Sequence, residues 1–215
     1  MSATPIAHEV SSYRSSQPAG PPSAFDREQE ELALLVPPGV VAAGTRLPDA
    51  ELLDAHGSVT SLGNVLDGSR AVLIFYRGAW CPFCNIALRA YQLNLLPALD
   101  ERGVRLVAVS PQKPDGSLTM KEKNELTFKV VSDPHNALAT AAGILTTPSE
   151  DARSAQLEFG LDLTRTNADG TATLPMPTAA IVDSDGTVRW IDVHPDYSTR
   201  TEPAEILAAL DSLEA

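Results

Sequence analysis

Apolar residues in this chain fall into two kinds of run, and their spacing separates strands from helices. Ala71-Val-Leu-Ile-Phe-Tyr76 and Val104-Arg-Leu-Val-Ala-Val109 are short, nearly continuous and rich in branched side chains, the pattern of strands buried on both faces. Between them Pro82 fits a first helical position, and Ile86, Ala90 and Leu93 recur at helical spacing as a face for burial. Pro97 is expected to bend or shorten that helix. Strand, helix, strand at this spacing predicts a right-handed crossover between parallel strands. Upstream, Glu51-Leu-Leu-Asp54 and Val59-Thr60 flank Ala55-His56-Gly57 as a hairpin, and Ser61 is placed to cap a short helix ending by Gly68. Downstream the pattern predicts a helix over 116–125, a strand at Phe128-Lys-Val-Val131 and a helix from His135 to Ala142. The period is lost over 144–175, read as an insertion with one helix near Glu150 to Phe159 and a turn at Asn167-Ala-Asp-Gly170. Thr178 to Asp183 and Thr187 to Val193 then pair as a hairpin, and Pro203 to Leu213 closes the chain as a helix. The expected class is α/β, a central mixed sheet flanked by helices.

The first 43 residues read differently. Residues 1–23, rich in Ser, Pro, Ala and Gly, offer little to bury and are expected to form a flexible tail. Ser23 is an N-cap for a helix that carries Leu32, Leu34 and Leu35 and stops at Pro37-Pro38-Gly39, so 24–43 is a helical extension and 44–215 the packed domain. A content of 43% hydrophobic residues in 215 suffices for a core, and no internal repeat interrupts it. No apolar run approaches the roughly 20 residues of a membrane span, and the amino terminus lacks a basic region followed by an apolar one. A soluble, cytoplasmic protein without a membrane partner is expected. The net charge of −12, with no segregated basic cluster, argues against a nucleic-acid surface. A homodimer stays open.

Chemistry concentrates in Trp80-Cys-Pro-Phe-Cys84, which holds both cysteines of the chain at a strand-to-helix junction. A thiol in the first helical turn faces unpaired backbone N–H groups and the positive end of the helix dipole, which favour thiolate. A second thiol three residues on is within reach of a disulfide. Zinc would need about four ligands, whereas no third cysteine exists and His8, His56, His135 and His194 are isolated, so no metal is expected. A purely structural disulfide closing so short a loop would restrain the unfolded chain little. Redox chemistry is the remaining reading, and strand, C-x-x-C, helix is a thioredoxin-like context.

The segment Phe75-Tyr-Arg-Gly-Ala-Trp-Cys-Pro-Phe-Cys84, with Gly44-Thr-Arg-Leu-Pro-Asp49 before it and Met176-Pro-Thr-Ala-Ala-Ile-Val-Asp183-Ser-Asp-Gly186 after it, resembles the peroxiredoxin-like branch of the alkyl hydroperoxide reductase and thiol-specific antioxidant family, a thioredoxin fold. The likeness runs over residues 44–213. In that family a Thr-x-x-Cys turn holds the cysteine that attacks peroxide, oriented by the Thr hydroxyl and a distant Arg. The resemblance lays the attacking cysteine on Cys84 and the Thr on Cys81, and the Arg falls at Met176 or Pro177, so both orienting groups are expected to be missing. The segment is also similar to thioredoxins, which carry Trp-Cys-x-x-Cys and a distant cis-proline. That likeness implies Cys81 as an exposed nucleophile, Cys84 as the resolving thiol, Trp80 shielding the pair, and Met176 and a cis Pro177 holding a substrate chain. Against it, the buried acid of thioredoxins falls on Phe75.

The leading expectation is therefore a thiol-disulfide oxidoreductase using Cys81 and Cys84, with an external thiol reductant and no cofactor. Its alternative is a thiol peroxidase in which Cys84 attacks a hydroperoxide and Cys81 resolves. A third class is a non-catalytic binding or assembly protein on the same fold. Arg77 and Arg89 lie near enough in sequence to support a thiolate, although exposed arginines are usually solvated. His194 reads as a turn residue beside Pro195 rather than as a base.

Overall fold

The structure is a computed structural model that describes residues 4–18 and 20–214. Its sheet grows from the two runs that read as doubly buried. Strand β3 (Ala71–Phe75) pairs in parallel with β4 (Arg105–Ser110), and the helices α4 (Pro82–Asn94) and α5 (Leu96–Glu101) make the crossover. Leu95 joins the two helices and Pro97 sits in the first turn of the second, which is how the expected bend is realised. Five more strands complete the sheet: β1 (Glu51–Leu53), β2 (Val59–Ser61), β5 (Lys129–Ser132), β8 (Thr178–Val182) and β9 (Val188–Val193), in the order β2-β1-β5-β4-β3-β8-β9. The outer pairs are antiparallel and the centre parallel, a mixed sheet as expected.

Because strand side chains alternate, β3 divides the interior in two. Val72, Ile74 and Tyr76 face one core with α4, α5 and the last helix, α10 (Pro203–Glu214). Ala71, Leu73 and Phe75 face the other, with α3 (Leu62–Leu66) and α7 (Ala137–Ala141). Helix α6 (Pro114–Lys123) packs on β5. The region read as an insertion contains α8 (Glu150–Glu158), α9 (Leu163–Thr166) and a two-stranded ribbon of β6 (Leu145–Thr146) with β7 (Leu174–Pro175). Among the described residues no helix is long and apolar enough to cross a membrane.

Three expectations about faces and ends are corrected. The flexible tail expected over 1–23 instead carries helix α1 (Ile6–Ser15), with Ile6 and Val10 buried in the same core as the cysteines. Its first N–H groups, with no cap from Pro5, donate to the Glu202 carboxylate at 2.9 Å each, so a distant residue supplies what local sequence lacks. Helix α2 (Ala24–Ala33) begins at Ser23 with a reciprocal capping box to Asp26, but its buried residues are Glu28 and Gln29, while Leu34 just beyond it is 86% exposed. In α4 the buried face is Phe83, Cys84, Ala87, Leu88, Ala90 and Tyr91; Leu93, expected inside, is 62% exposed. The stripe at positions 86, 90 and 93 runs along one edge of the real face, with Ile86 half-buried, Ala90 buried and Leu93 outside it.

Candidate active site

Beyond β3, Tyr76 donates its backbone N–H to Val109 and the chain then leaves the sheet through Arg77, Gly78, Ala79 and Trp80. Gly78 is required here: its φ is +154°, and a Cβ would stand 2.4 Å from the Trp80 ring nitrogen. The loop is pinned from three sides. Ala79 N–H donates to Gln112 Oε1 at 2.7 Å, and the Asn85 side-chain amide donates to the carbonyls of Ala79 and Cys81 at 2.9 and 2.8 Å. Asn124 in turn donates to Asn85 Oδ1 at 2.9 Å. Cys81 is thereby fixed as the N-cap of α4, Pro82 takes its first position, and Cys84 falls at the third, where backbone N–H groups have no helical partner.

Both cysteines are reduced and buried, Cys84 completely and Cys81 to 1% exposure. The expectation of an exposed Cys81 is thus corrected. Burial pushes the Cys81 thiol well above its ordinary range, and its hydrogen bond to Cys84 adds to the effect. Burial also opposes ionisation of Cys84, but four attractions outweigh it: the Cys81 hydrogen bond, the Arg200 charge, the Arg77 backbone N–H and the Arg77 charge. Charge is therefore favoured on Cys84, with the Cys81 thiol as its protonated partner. The helix end does not favour a Cys81 thiolate here, because burial and the neighbouring Cys84 push the Cys81 thiol up by more than Arg77 and Arg200 pull it down.

That cation is Arg200. Its Nη2 donates to Cys84 Sγ at 3.1 Å, and its Nη1 donates to the carbonyls of Tyr197 and Thr199, each at 2.6 Å. The guanidinium is itself buried, held charged by the thiols. Sequence reasoning placed the family arginine at Met176 or Pro177 and found none; the charge arrives from the connection between β9 and α10. Nothing in Tyr197-Ser-Thr-Arg-Thr201 marks it, except that a polar linker holds an arginine between two threonines. Those threonines are bolted down. His194 contacts Thr199 Oγ1 at 2.7 Å and Asp192 Oδ2 at 3.0 Å, Thr201 Oγ1 donates to Asp192 at 2.8 Å, and Tyr91 of α4 donates to the Thr201 carbonyl at 2.7 Å.

The remaining sequence candidates divide. Arg77 is buried, with its guanidinium 3.7 Å from the centre of the Tyr197 ring and 5.1 Å from that of Trp80. Trp80 packs against the core cluster that contains the pair and also against the small cluster of Leu163, Ala172 and Leu174. Met176 and Pro177 do not join the thiols. Met176 packs in the core on the other face of the sheet, and Pro177, buried, accepts from the His194 N–H through its carbonyl. No described peptide bond is cis, so the cis Pro177 expectation is corrected as well. Arg89 is exposed on the outer side of α4. A cleft of about 750 Å³ lined by Ala79, Gln112, Lys113 and Arg165 reaches the motif loop, but neither sulfur lines it.

Comparison with known proteins bears on the family and the fold. The description "AhpC/TSA family" matches residues 43–191, more than half of the chain. Two curated Mycobacterium tuberculosis proteins, from strains CDC 1551 and H37Rv, each provisionally named a peroxiredoxin, are 33% identical over 100 residues, 46% of this chain and 62% of theirs. The chain thus spans less than two thirds of those relatives. Among solved structures, peroxidoxin BcpB of M. tuberculosis superposes with a TM-score of 0.60 at 20% identity, covering 80% of this chain and 96% of its own. Reduced Prx3 of Vibrio vulnificus in complex with hydrogen peroxide gives 0.62 at 23%, over 79% and 99%. Such low identities speak for the thioredoxin-like fold; the family match over residues 43–191 carries the assignment, and the chain belongs to the AhpC/TSA family.

Proposed function

We propose that the protein is a thiol peroxidase in which Cys84 attacks a hydroperoxide and Cys81 resolves the product. One observation carries this reading above the others: the buried Arg200 guanidinium donates to Cys84 Sγ at 3.1 Å, which favours negative charge on that sulfur rather than on Cys81. In a disulfide exchange of the thioredoxin kind the outer cysteine attacks, and here that cysteine is buried and held protonated. An inert scaffold would have no reason to bury a guanidinium against a thiolate, since an unpaired buried charge is unfavourable.

The Cys84 thiolate attacks the terminal peroxide oxygen; an S–O bond forms as the O–O bond breaks, and the leaving alkoxide takes a proton to depart as an alcohol, or as water from hydrogen peroxide. Cys84 is oxidised to a sulfenic acid and the peroxide is reduced. Arg200 and the Cys81 thiol, which stands at the position of the family threonine, are the donors facing the charge that develops on oxygen. Cys81 then attacks Cys84 Sγ: the S–S bond forms, the S–O bond breaks, and hydroxide leaves as water with the Cys81 proton. An external thiol reductant returns the disulfide to two thiols. The test is single-turnover peroxide consumption with sulfenic-acid trapping. Cys81→Ser is expected to consume one equivalent and accumulate sulfenic acid, and Cys84→Ser to consume none; the opposite pattern overturns the assignment.

A further inference from the structure

We propose that helices α1 and α2 form a roof over the thiols that sets the size of reactant admitted, and that the Glu28 carboxylate is the latch that holds it. The inference rests on the peroxidase reading for its substrate class: hydrogen peroxide and small alkyl hydroperoxides pass, and bulky hydroperoxides and protein disulfides are excluded while the roof is down.

The roof lies outside the family match, which begins at residue 43. Helix α1 lies along α4. Ile6 and Val10 join the core that contains both cysteines, and Tyr13 meets Phe83, the residue before Cys84, edge to face at 5.8 Å. The Arg14 guanidinium sits 5.5 Å over the same Phe83 ring and donates to the Gln29 side chain, tying α1 to α2. In this arrangement Cys84 is fully buried and Cys81 is 1% exposed.

What fastens the roof is polar, and it fastens to the segment that carries the cation. Glu28, 6% exposed, accepts from the Tyr197 hydroxyl at 2.8 Å and from the Ser149 N–H at 2.6 Å. A carboxylate is buried only where donors hold it, which explains why α2 turns its polar face inward and leaves Leu34 outside. Tyr197 in turn stacks on Arg77 and gives its carbonyl to Arg200. Glu202, two residues beyond Arg200, holds the first turn of α1 with both oxygens. Two carboxylates thus join the extension to residues 197–202, one on each side of the thiolate's partner.

The test is the ratio of two alkylation rates at neutral pH on the full chain, a polyethylene-glycol maleimide against iodoacetamide, with steady-state reduction of cumene hydroperoxide and hydrogen peroxide beside it. Acidity of the thiol moves both alkylation rates together, whereas access moves only the bulky one. In Glu28→Ala the maleimide-to-iodoacetamide ratio is expected to rise about tenfold or more, the factor that follows loss of a charge-assisted hydrogen bond, and the preference for hydrogen peroxide over cumene hydroperoxide to fall by a like factor. Glu202→Gln, which keeps the side-chain shape, is expected to move the ratio in the same direction by less. An unchanged ratio in both variants overturns the proposal, as does an equal rise for both reagents, which would mean a loosened domain rather than a lifted roof. Failure of every form to consume peroxide would sink the peroxidase reading while leaving the alkylation ratio to decide the roof.

Discussion

Arg200 donates to a sulfur and to two carbonyls, and each contact constrains what its loss would do. A methionine there would fill much of the volume but leave Cys84 with burial opposing its ionisation and only Arg77 and Cys81 favouring it. Arg200→Met is therefore expected to lower peroxide consumption at neutral pH by about 10²- to 10³-fold, the usual effect of deleting one donor to a charged transition state. The sign of the pH response follows from the same causes. In the native protein the thiolate persists below the ordinary thiol range, so the rate should be flat around neutrality and fall on acidification. In Arg200→Met the rise should move to higher pH, and stopped-flow rates across the pH range would show it; an unshifted profile would mean that Arg200 does not govern the thiol. This residue was illegible in the sequence because its partner lies 116 positions away and no local pattern marks that distance. Cys81 and Cys84, adjacent and unique, were plain.

Secondary elements carry the residue-level chemistry, and they were legible to the extent that burial was periodic. Strands β3 and β4 could be read because both their faces are covered, which leaves a continuous apolar run. Helix α1 is hard to read because Ile6, Val10 and Tyr13, at i, i+4 and i+7, stand among Ser and Ala residues whose composition suggests a tail. Helix α2 was legible from Ser23 as its N-cap, whereas the inward-facing Glu28 was not, since partners supplied by other elements decide its orientation. The connection from β9 to α10 shows the same dependence. His194, read as a turn residue, joins Asp192 to the threonine before Arg200. His194→Ala is expected to lower stability by about 1 to 2 kcal/mol through lost hydrogen bonds, and to weaken the thiolate absorbance near 240 nm by less than Arg200→Met does. Stability loss with an unchanged thiolate signal would reduce His194 to a turn support.

At the scale of the whole molecule the thiolate and guanidinium form a buried ion pair between α4 and the segment before α10. Removing one member leaves the other charged and unpaired, so Cys84→Ser is expected to lose about 3 kcal/mol of unfolding free energy, measured by urea denaturation near pH 8. Cys84 has its folded pKa below its unfolded one; the stability it contributes is complete above the unfolded thiol pKa and disappears as pH falls through the folded value. The gap between wild type and Cys84→Ser should accordingly narrow on acidification, and a gap that stays constant would assign it to packing. The separation of the two partners along the chain also orders events in time. A polypeptide still being synthesised presents Cys84 long before residue 200 exists, and a thiol without its counter-charge reacts sluggishly with oxidants. Full reactivity of Cys84 is thus expected only once the segment carrying Arg200 has folded against α4.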